Sequence, residues 1–223
     1  MQRTIFLILL SVVFSLLSCD KNTGDSNNRK AEDNKPAEKD KTPAVLNFGT
    51  QTGSVYENDY FGLKVTLPED WYVQSREMNA EIEQAQNAVK QPIEALQTIY
   101  LLYAFMHEPG SVVEYNAGMN IVASNLSQNT EGGTADDYLN ELIKNLSTIP
   151  GYRFSDKNIT DMKIGGLNMR AAKGQTTIEG IDISQLYLVT LRKGYAIQIT
   201  LSWSNEVQRN QLTDVLKKTE FFM

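Results

Sequence analysis

The sequence predicts an α+β fold class: an antiparallel β-sheet of about six or seven strands flanked by helices, as an α/β/α sandwich. Four β-rich runs follow one another from Asn158 to Trp203, separated only by glycine-containing dipeptides. Strands joined by turns this short pair antiparallel. Segments with apolar residues at every third or fourth position precede and follow those runs, the period of a helix resting one face on a core. A length of 223 residues suits one folded domain with appendages, and the domain is placed at 47–223.

Val55–Tyr60 (VYENDY) and Leu63–Leu67 (LKVTL) alternate around Phe61-Gly62 and predict a hairpin or a sharply bent strand. Pro68-Glu69-Asp70 closes it, and Trp71-Tyr72-Val73 follows. Met78, Ile82, Ala85, Val89, Ile93 and Leu96 predict an amphipathic helix, which Pro92 kinks or splits. Thr98–His107 (TIYLLYAFMH) is β-branched and aromatic, predicting a buried strand ended by Pro109-Gly110; Gly118–Ser124 predicts another. Thr134 is the expected N-cap of a second helix, with Asp136 and Asp137 at its positive end. Tyr138, Leu142, Ile143 and Leu146 give that helix one apolar face, and Pro150-Gly151 ends it. The closing strands are expected near Asn158–Ile164, Leu167–Ile178, Ile181–Leu191 and Tyr195–Trp203, turning at Gly165-Gly166, Glu179-Gly180 and Lys193-Gly194. A last helix near Asn205–Thr219, capped by Ser204, carries Val207, Leu212, Val215 and Leu216 inward.

This order resembles the PsbP-like fold, shared by the photosystem II extrinsic subunit, the Ran-binding nuclear import factor and the DcrB-type bacterial lipoproteins. The likeness is carried by Tyr60-Phe61-Gly62-Leu63-Lys64-Val65-Thr66-Leu67-Pro68-Glu69-Asp70-Trp71, by Met162-Lys163-Ile164-Gly165-Gly166-Leu167, and by Gly194-Tyr195-Ala196-Ile197-Gln198-Ile199-Thr200-Leu201 with the closing helix and Phe221-Phe222. It covers Val55 to Phe222 and rests on apolar and turn positions. The resemblance implies the sandwich above and, because its members mostly bind other proteins, a protein partner. Glu77–Gln97 departs from the simplest members.

The N-terminus reads as an address. Gln2-Arg3 begins a short positive region, and Ile5–Leu17 (IFLILLSVVFSLL) is apolar except for Ser11 and Ser15. That run fits the roughly 7–15 residues of a signal-peptide core and falls short of the roughly 20 that cross a bilayer. Leu16-Leu17-Ser18-Cys19 resembles the lipobox of bacterial lipoproteins, which implies cleavage between Ser18 and Cys19 and acylation of the Cys19 thiol. Residues 1–18 are then the signal peptide and 19–46 the lipidated cysteine and its linker. Two or more acyl chains hold stably where one holds marginally. Asp20–Ala44 has no aromatic and no large aliphatic residue, too little apolar surface to offset the entropy of ordering. As a flexible coil it would reach roughly 25–30 Å. The expected location is the bacterial cell envelope, facing the extracytoplasmic side, with the leaflet open.

Composition narrows the chemistry. Of 21 basic residues Arg3 leaves with the signal, whereas all 27 acidic residues stay; an acidic body argues against nucleic acid. Cys19 is the one cysteine, so no intramolecular disulfide forms, and His107 is the one histidine. Any Ser-His-Asp site must be built on His107, at the polar end of an apolar strand, where a structural or exposed role is the commoner one. Asn129, Glu131, Asp136 and Asp137 could supply calcium oxygens, but without EF-hand spacing, and helix capping accounts for the last two. Gly132-Gly133 leads into a helix as anion sites do, yet lacks a P-loop lysine and has Asp136-Asp137 beside it. No residues are nominated as catalytic, metal-binding or cofactor-binding. Most aromatics, Trp71 and Trp203 included, are expected in the core; Tyr72, Tyr100 and Tyr103 are the candidate interaction surface. The function expected is that of a non-enzymatic binding or assembly module, tethered to the bilayer through acylated Cys19. A hydrolase using carboxylates or His107, and a small-solute capture protein, are the alternatives.

Overall fold

Three two-residue turns set the topology of the C-terminal half. Gly165-Gly166, Glu179-Gly180 and Lys193-Gly194 hold positive φ at both positions: 54° and 87°, 51° and 85°, 49° and 81°. That is the backbone of the type I′ turn, whose twist matches that of antiparallel strands. The computed structural model describes residues 45–74, 98–126, 133–155 and 159–222. The signal segment, Cys19, the linker, the expected helix over Met78–Leu96, Asn129, Glu131, Gly132 and Asn158 lie outside the described residues.

The elements are β1 (Thr50–Thr52), β2 (Val55–Asn58), β3 (Leu63–Thr66), β4 (Tyr72–Val73), β5 (Thr98–Phe105), β6 (Gly118–Asn125), α1 (Ala135–Leu146), β7 (Arg153–Phe154), β8 (Thr160–Ile164), β9 (Leu167–Ile178), β10 (Ile181–Arg192), β11 (Tyr195–Trp203), α2 (Glu206–Lys217) and β12 (Glu220–Phe221). An eight-stranded sheet runs β4-β5-β6-β11-β10-β9-β7, with β8 also pairing β9. All its pairs are antiparallel. The fold class is the α+β sandwich expected, with more strands. The N-terminal hairpin does not join the main sheet; β2 and β3 form a separate four-stranded sheet with β1 and β12. The C-terminus closes it, Phe222 N–H donating to the Gly62 carbonyl at 2.8 Å. Gly62 has to be glycine: its φ is +60°, and a Cβ there would lie 2.0 Å from the Phe222 carbonyl oxygen.

Residues paired across antiparallel strands share a sheet face, so register divides the main sheet cleanly. One face carries Ala172, Tyr187 and Val189 with Gln198 and Thr200 opposite the last two. Helix α1 packs there through Leu139, Leu142 and Leu146, against Ala172, Tyr187, Val189 and Ala196. The two alanines leave room for the leucine stripe to approach. Thr134 caps α1 as expected, in a reciprocal box with Asp137. The other face carries Leu186, Leu188, Ile197, Ile199 and Leu201. It is covered by α2 through Leu212, Val215 and Leu216 and, near Tyr195, by the small sheet through Phe61, whose ring meets Tyr195 at 5.3 Å. β11 is buried from Tyr195 to Ser202 because both faces are covered.

Two details of α2 differ from expectation. Asn205, not Ser204, is the N-cap: its side chain accepts from the Gln208 N–H at 3.0 Å, while Ser204 donates to Gln208 Oε1 from both N–H and hydroxyl. An amide oxygen caps as well as a hydroxyl, and the shift by one residue lets Ser204 close a reciprocal pair. Val207 is 69% exposed rather than inward. The buried stripe falls on Leu212, Val215 and Leu216, and Val207 is off that stripe in the first turn.

Candidate functional site

A cleft of about 410 Å³ opens on the α2 face of the main sheet. Helix α2 lies over β11, and the cleft opens beside it over Lys173 of β9 and Ser184 of β10. The floor is Leu186 and Leu201, cross-strand partners. Leu216 of α2 forms one wall and Met162 of β8 the other, with Trp203 at the end of β11. Trp203 is half-buried, a correction to the expectation that it is core: it is the last residue of β11 and lines the cleft. Trp71 is buried as expected.

The rim is polar. Lys173 and Ser184 reach it from the sheet, and Glu206, Arg209 and Thr213 from the helix. Positions 206, 209, 213 and 216 are spaced by three and four residues, one side of a helix. Arg209 is occupied: its Nη1 donates to both Glu206 carboxylate oxygens at 2.9 and 3.0 Å. Thr213 turns its hydroxyl back to the Arg209 carbonyl at 2.8 Å. Lys173 is exposed and has no ion pair among the described residues. A second hollow of about 320 Å³, more open and more polar, lies over Asn47, Gly49, Glu57 and Asp59.

The opposite face holds the tyrosines. Tyr72 pairs with Phe105, and Phe105 and Tyr103 alternate onto the same face. Tyr100 and Tyr103 are three residues apart and would point to opposite sides of a regular strand. A bulge between Tyr100 and Leu102 restores them to one face, with ring centroids 5.7 Å apart. All three candidate tyrosines are half-buried and lie on the face away from the cleft. Beside them Asn120, opposite both Tyr103 and Thr200, has a buried Oδ1 with no hydrogen-bond partner among the described residues. Farther along, the Tyr152 hydroxyl donates to Gln185 Oε1, lies 2.6 Å from the Tyr187 hydroxyl, and Tyr187 donates to the same Oε1 at 2.7 Å. Burial pushes the Tyr152 phenol up to about 12 and Tyr187 well above its ordinary value.

The remaining chemistry-bearing residues are dispersed. His107 is exposed; its backbone is tied to the Asn116 side chain, at 3.0 Å to Oδ1 and 2.7 Å from Nδ2. Asp136 and Asp161 are brought together, but on Arg170, which donates to both. Asp137 accepts from the Thr134 N–H and hydroxyl at 2.9 and 2.7 Å, bonds that hold its carboxyl below the ordinary value. Among the described residues no group of three or more His, Cys, Asp or Glu is placed to hold a metal ion, and no helix is long and apolar enough to cross a membrane. Sequence reasoning missed the cleft, whose lining comes from separate elements; the spacing of 206, 209, 213 and 216 is its one local trace.

No protein-family model matches the chain, and no curated protein matches it. Solved structures do. The cyanobacterial PsbP of Synechocystis is similar at 14% identity over 81% of this chain and 99% of that one, with a TM-score of 0.47. LpqN of Mycobacterium tuberculosis, involved in cell envelope biogenesis, is similar at 12% identity over 72% of this chain and 83% of that one, with a TM-score of 0.44. A Bacteroides thetaiotaomicron protein is similar at 13% identity over 73% of this chain and 46% of that one, with a TM-score of 0.40. At these identities the likeness concerns the fold alone.

Proposed function

We propose that this chain is a lipid-tethered binding protein of the bacterial cell envelope, working non-covalently through the cleft beside α2. The cleft carries the reading: a concave site with an apolar floor and a few polar groups at its rim, of a volume within the usual range for ligand sites. The tether rests on Leu16-Leu17-Ser18-Cys19, with the chain's one cysteine ending its longest apolar run. The long polar linker would let the body search a zone near the bilayer. Capture of a small solute is the second reading, favoured by the same cleft over a flat protein-docking face.

Fractionating cells that produce the full chain or Cys19→Ala tests the tether. The parent chain is expected in the membrane pellet and the variant in the soluble extract. Equal retention of both in the pellet would remove the tether from the proposal. For the cleft, Thr213→Trp places an indole in the opening without removing a bond to another element. Loss of bound ligand or partner with thermal stability unchanged is expected; unimpaired binding would move the site elsewhere.

A further inference from the structure

We infer that the loop Glu108–Glu114, together with Val207 of α2, docks a partner protein whose surface offers an apolar pocket edged by lysine or arginine. This is a second surface, since neither the loop nor Val207 lines the cleft. The eight residues from His107 to Glu114, between buried Met106 and buried Tyr115, are all exposed. Val112 is fully exposed at 105%, Val113 follows at 39%, and Val207 stands at 69%. One exposed valine on a surface is ordinary. Here Gln208 Nε2 donates to the Tyr115 carbonyl at 2.9 Å, which brings the first turn of α2 to the foot of the loop. All three valines lie within three residues of that one bond, and they are three of the five large hydrophobic residues exposed among the described ones.

The loop is held in one shape. Asn116 clamps its foot from both sides, accepting from the His107 N–H at 3.0 Å and donating to the His107 carbonyl at 2.7 Å. The buried Tyr115 hydroxyl lies 2.5 Å from the Ser202 hydroxyl. Glu108 to Ser111 follows the type II turn pattern, with Pro109 before Gly110 at φ +88° and the Ser111 N–H donating to the Glu108 carbonyl at 3.1 Å. The Val113 N–H donates to the Ser111 carbonyl at 3.0 Å. A tip whose backbone is already fixed loses little freedom on binding, and its valines gain by leaving water. Charge selects the partner. Glu108 and Glu114 bracket the valines, both exposed and without an ion pair among the described residues. An apolar centre with acidic edges matches an apolar pocket with basic ones. The same carboxylates disfavour an anionic bilayer surface. A second copy, with the same net charge of −6, brings repulsion of like sign.

The test puts the photo-crosslinking residue p-benzoylphenylalanine in place of Val112 in the full chain, in cells that produce it. Lys163, exposed on β8, is the control position. Adducts are mapped by mass spectrometry. The expected result is an adduct to another polypeptide from position 112 and not from 163, on a peptide with lysine or arginine close to the attached residue. Glu108→Lys combined with Glu114→Lys should cut that adduct by about tenfold, and Glu108→Gln combined with Glu114→Gln should cut it less. Val113→Asp should cut it by about tenfold as well. An unchanged thermal midpoint in each variant shows that the body is folded. Adducts to lipid alone would assign the tip to the bilayer, and adducts to a second copy would assign it to self-association; either overturns the proposal. A polypeptide adduct indifferent to charge reversal, equal adducts from both positions, or no adduct overturns it too. The cleft is judged separately, because Thr213→Trp leaves the loop and Val207 unaltered.

Discussion

Gly174→Ala probes the buried hydroxyl triangle under α1. Gly174 sits on β9 opposite Gln185, and a Cβ added to it would lie 2.5 Å from the Tyr152 hydroxyl, 2.8 Å from Cε1 and 3.0 Å from Cζ. The ring is held between Phe154, at 5.3 Å, and its bonds to Gln185 and Tyr187, so it cannot swing freely. Overpacking costs about 1–3 kcal/mol, and displacing the hydroxyl from its partners about 1 kcal/mol more. Alanine's advantage over glycine in a strand offsets up to about 1 kcal/mol. A net loss of about 2–3 kcal/mol is expected. Tyr152→Phe alone should cost about 1 kcal/mol, because the 2.7 Å bond from Tyr187 to Gln185 survives. In the double variant the closest obstacle is gone, so the combined loss should fall short of the sum by about 1 kcal/mol. Urea unfolding of the chain from Val45 onward, followed by tryptophan fluorescence, measures all three. Strict additivity would refute the claim that the hydroxyl is what the new methyl group strikes.

Gly62→Ala should cost about 3 kcal/mol or more, since it combines positive φ with a collision against the Phe222 carbonyl; a loss under about 1 kcal/mol in the same unfolding experiment would contradict it. Thr134→Ala should cost about 1 kcal/mol at neutral pH through loss of the α1 cap. Because Asp137 is held below its ordinary value by Thr134, that deficit should persist above about pH 4 and shrink as pH falls through the folded carboxyl's value; a deficit that grows on acidification would count against the box. Burial pushes Tyr115 and Tyr152 up to about 12. Above about pH 10 the unfolded chain therefore binds fewer protons than the folded one, and stability should fall as pH rises. Phenolate absorbance should then show a late fraction appearing together with unfolding, and ionisation of every tyrosine near pH 10 in a folded chain would exclude the buried network.

How much of this was legible depends on how local the cause is. Glu179-Gly180 and Lys193-Gly194 mark hairpins because only a backbone with two positive φ values joins twisted strands in two residues, and glycine at the second place announces it. Thr134 with Asp137 three residues on announces a cap just as locally. The two- and three-residue strands β1, β4, β7 and β12 are too short for any periodicity and exist because longer neighbours offer an edge. The separate small sheet was invisible for a related reason. It depends on the C-terminus returning to Gly62, a contact across most of the folded chain.

The site was less legible than the fold, and the tyrosines show why. Grouping Tyr72, Tyr100 and Tyr103 as one surface is correct in that they share a face, but counting by twos sends Tyr100 and Tyr103 to opposite sides, and a bulge reverses the count. Trp203 fails in the opposite way. Its composition says core, yet its place at the strand end makes it the wall of a cleft. On the α1 face, polar groups such as Gln185 and Tyr187 are shut in and bonded to each other, so their positions define structure. On the α2 face the polar groups stand at a rim above leucines, where they can still meet something else. A sheet buried on both sides thus divides its duties by face: one holds a closed hydrogen-bond network, and the other keeps an opening beside α2, over Lys173 of β9 and Ser184 of β10.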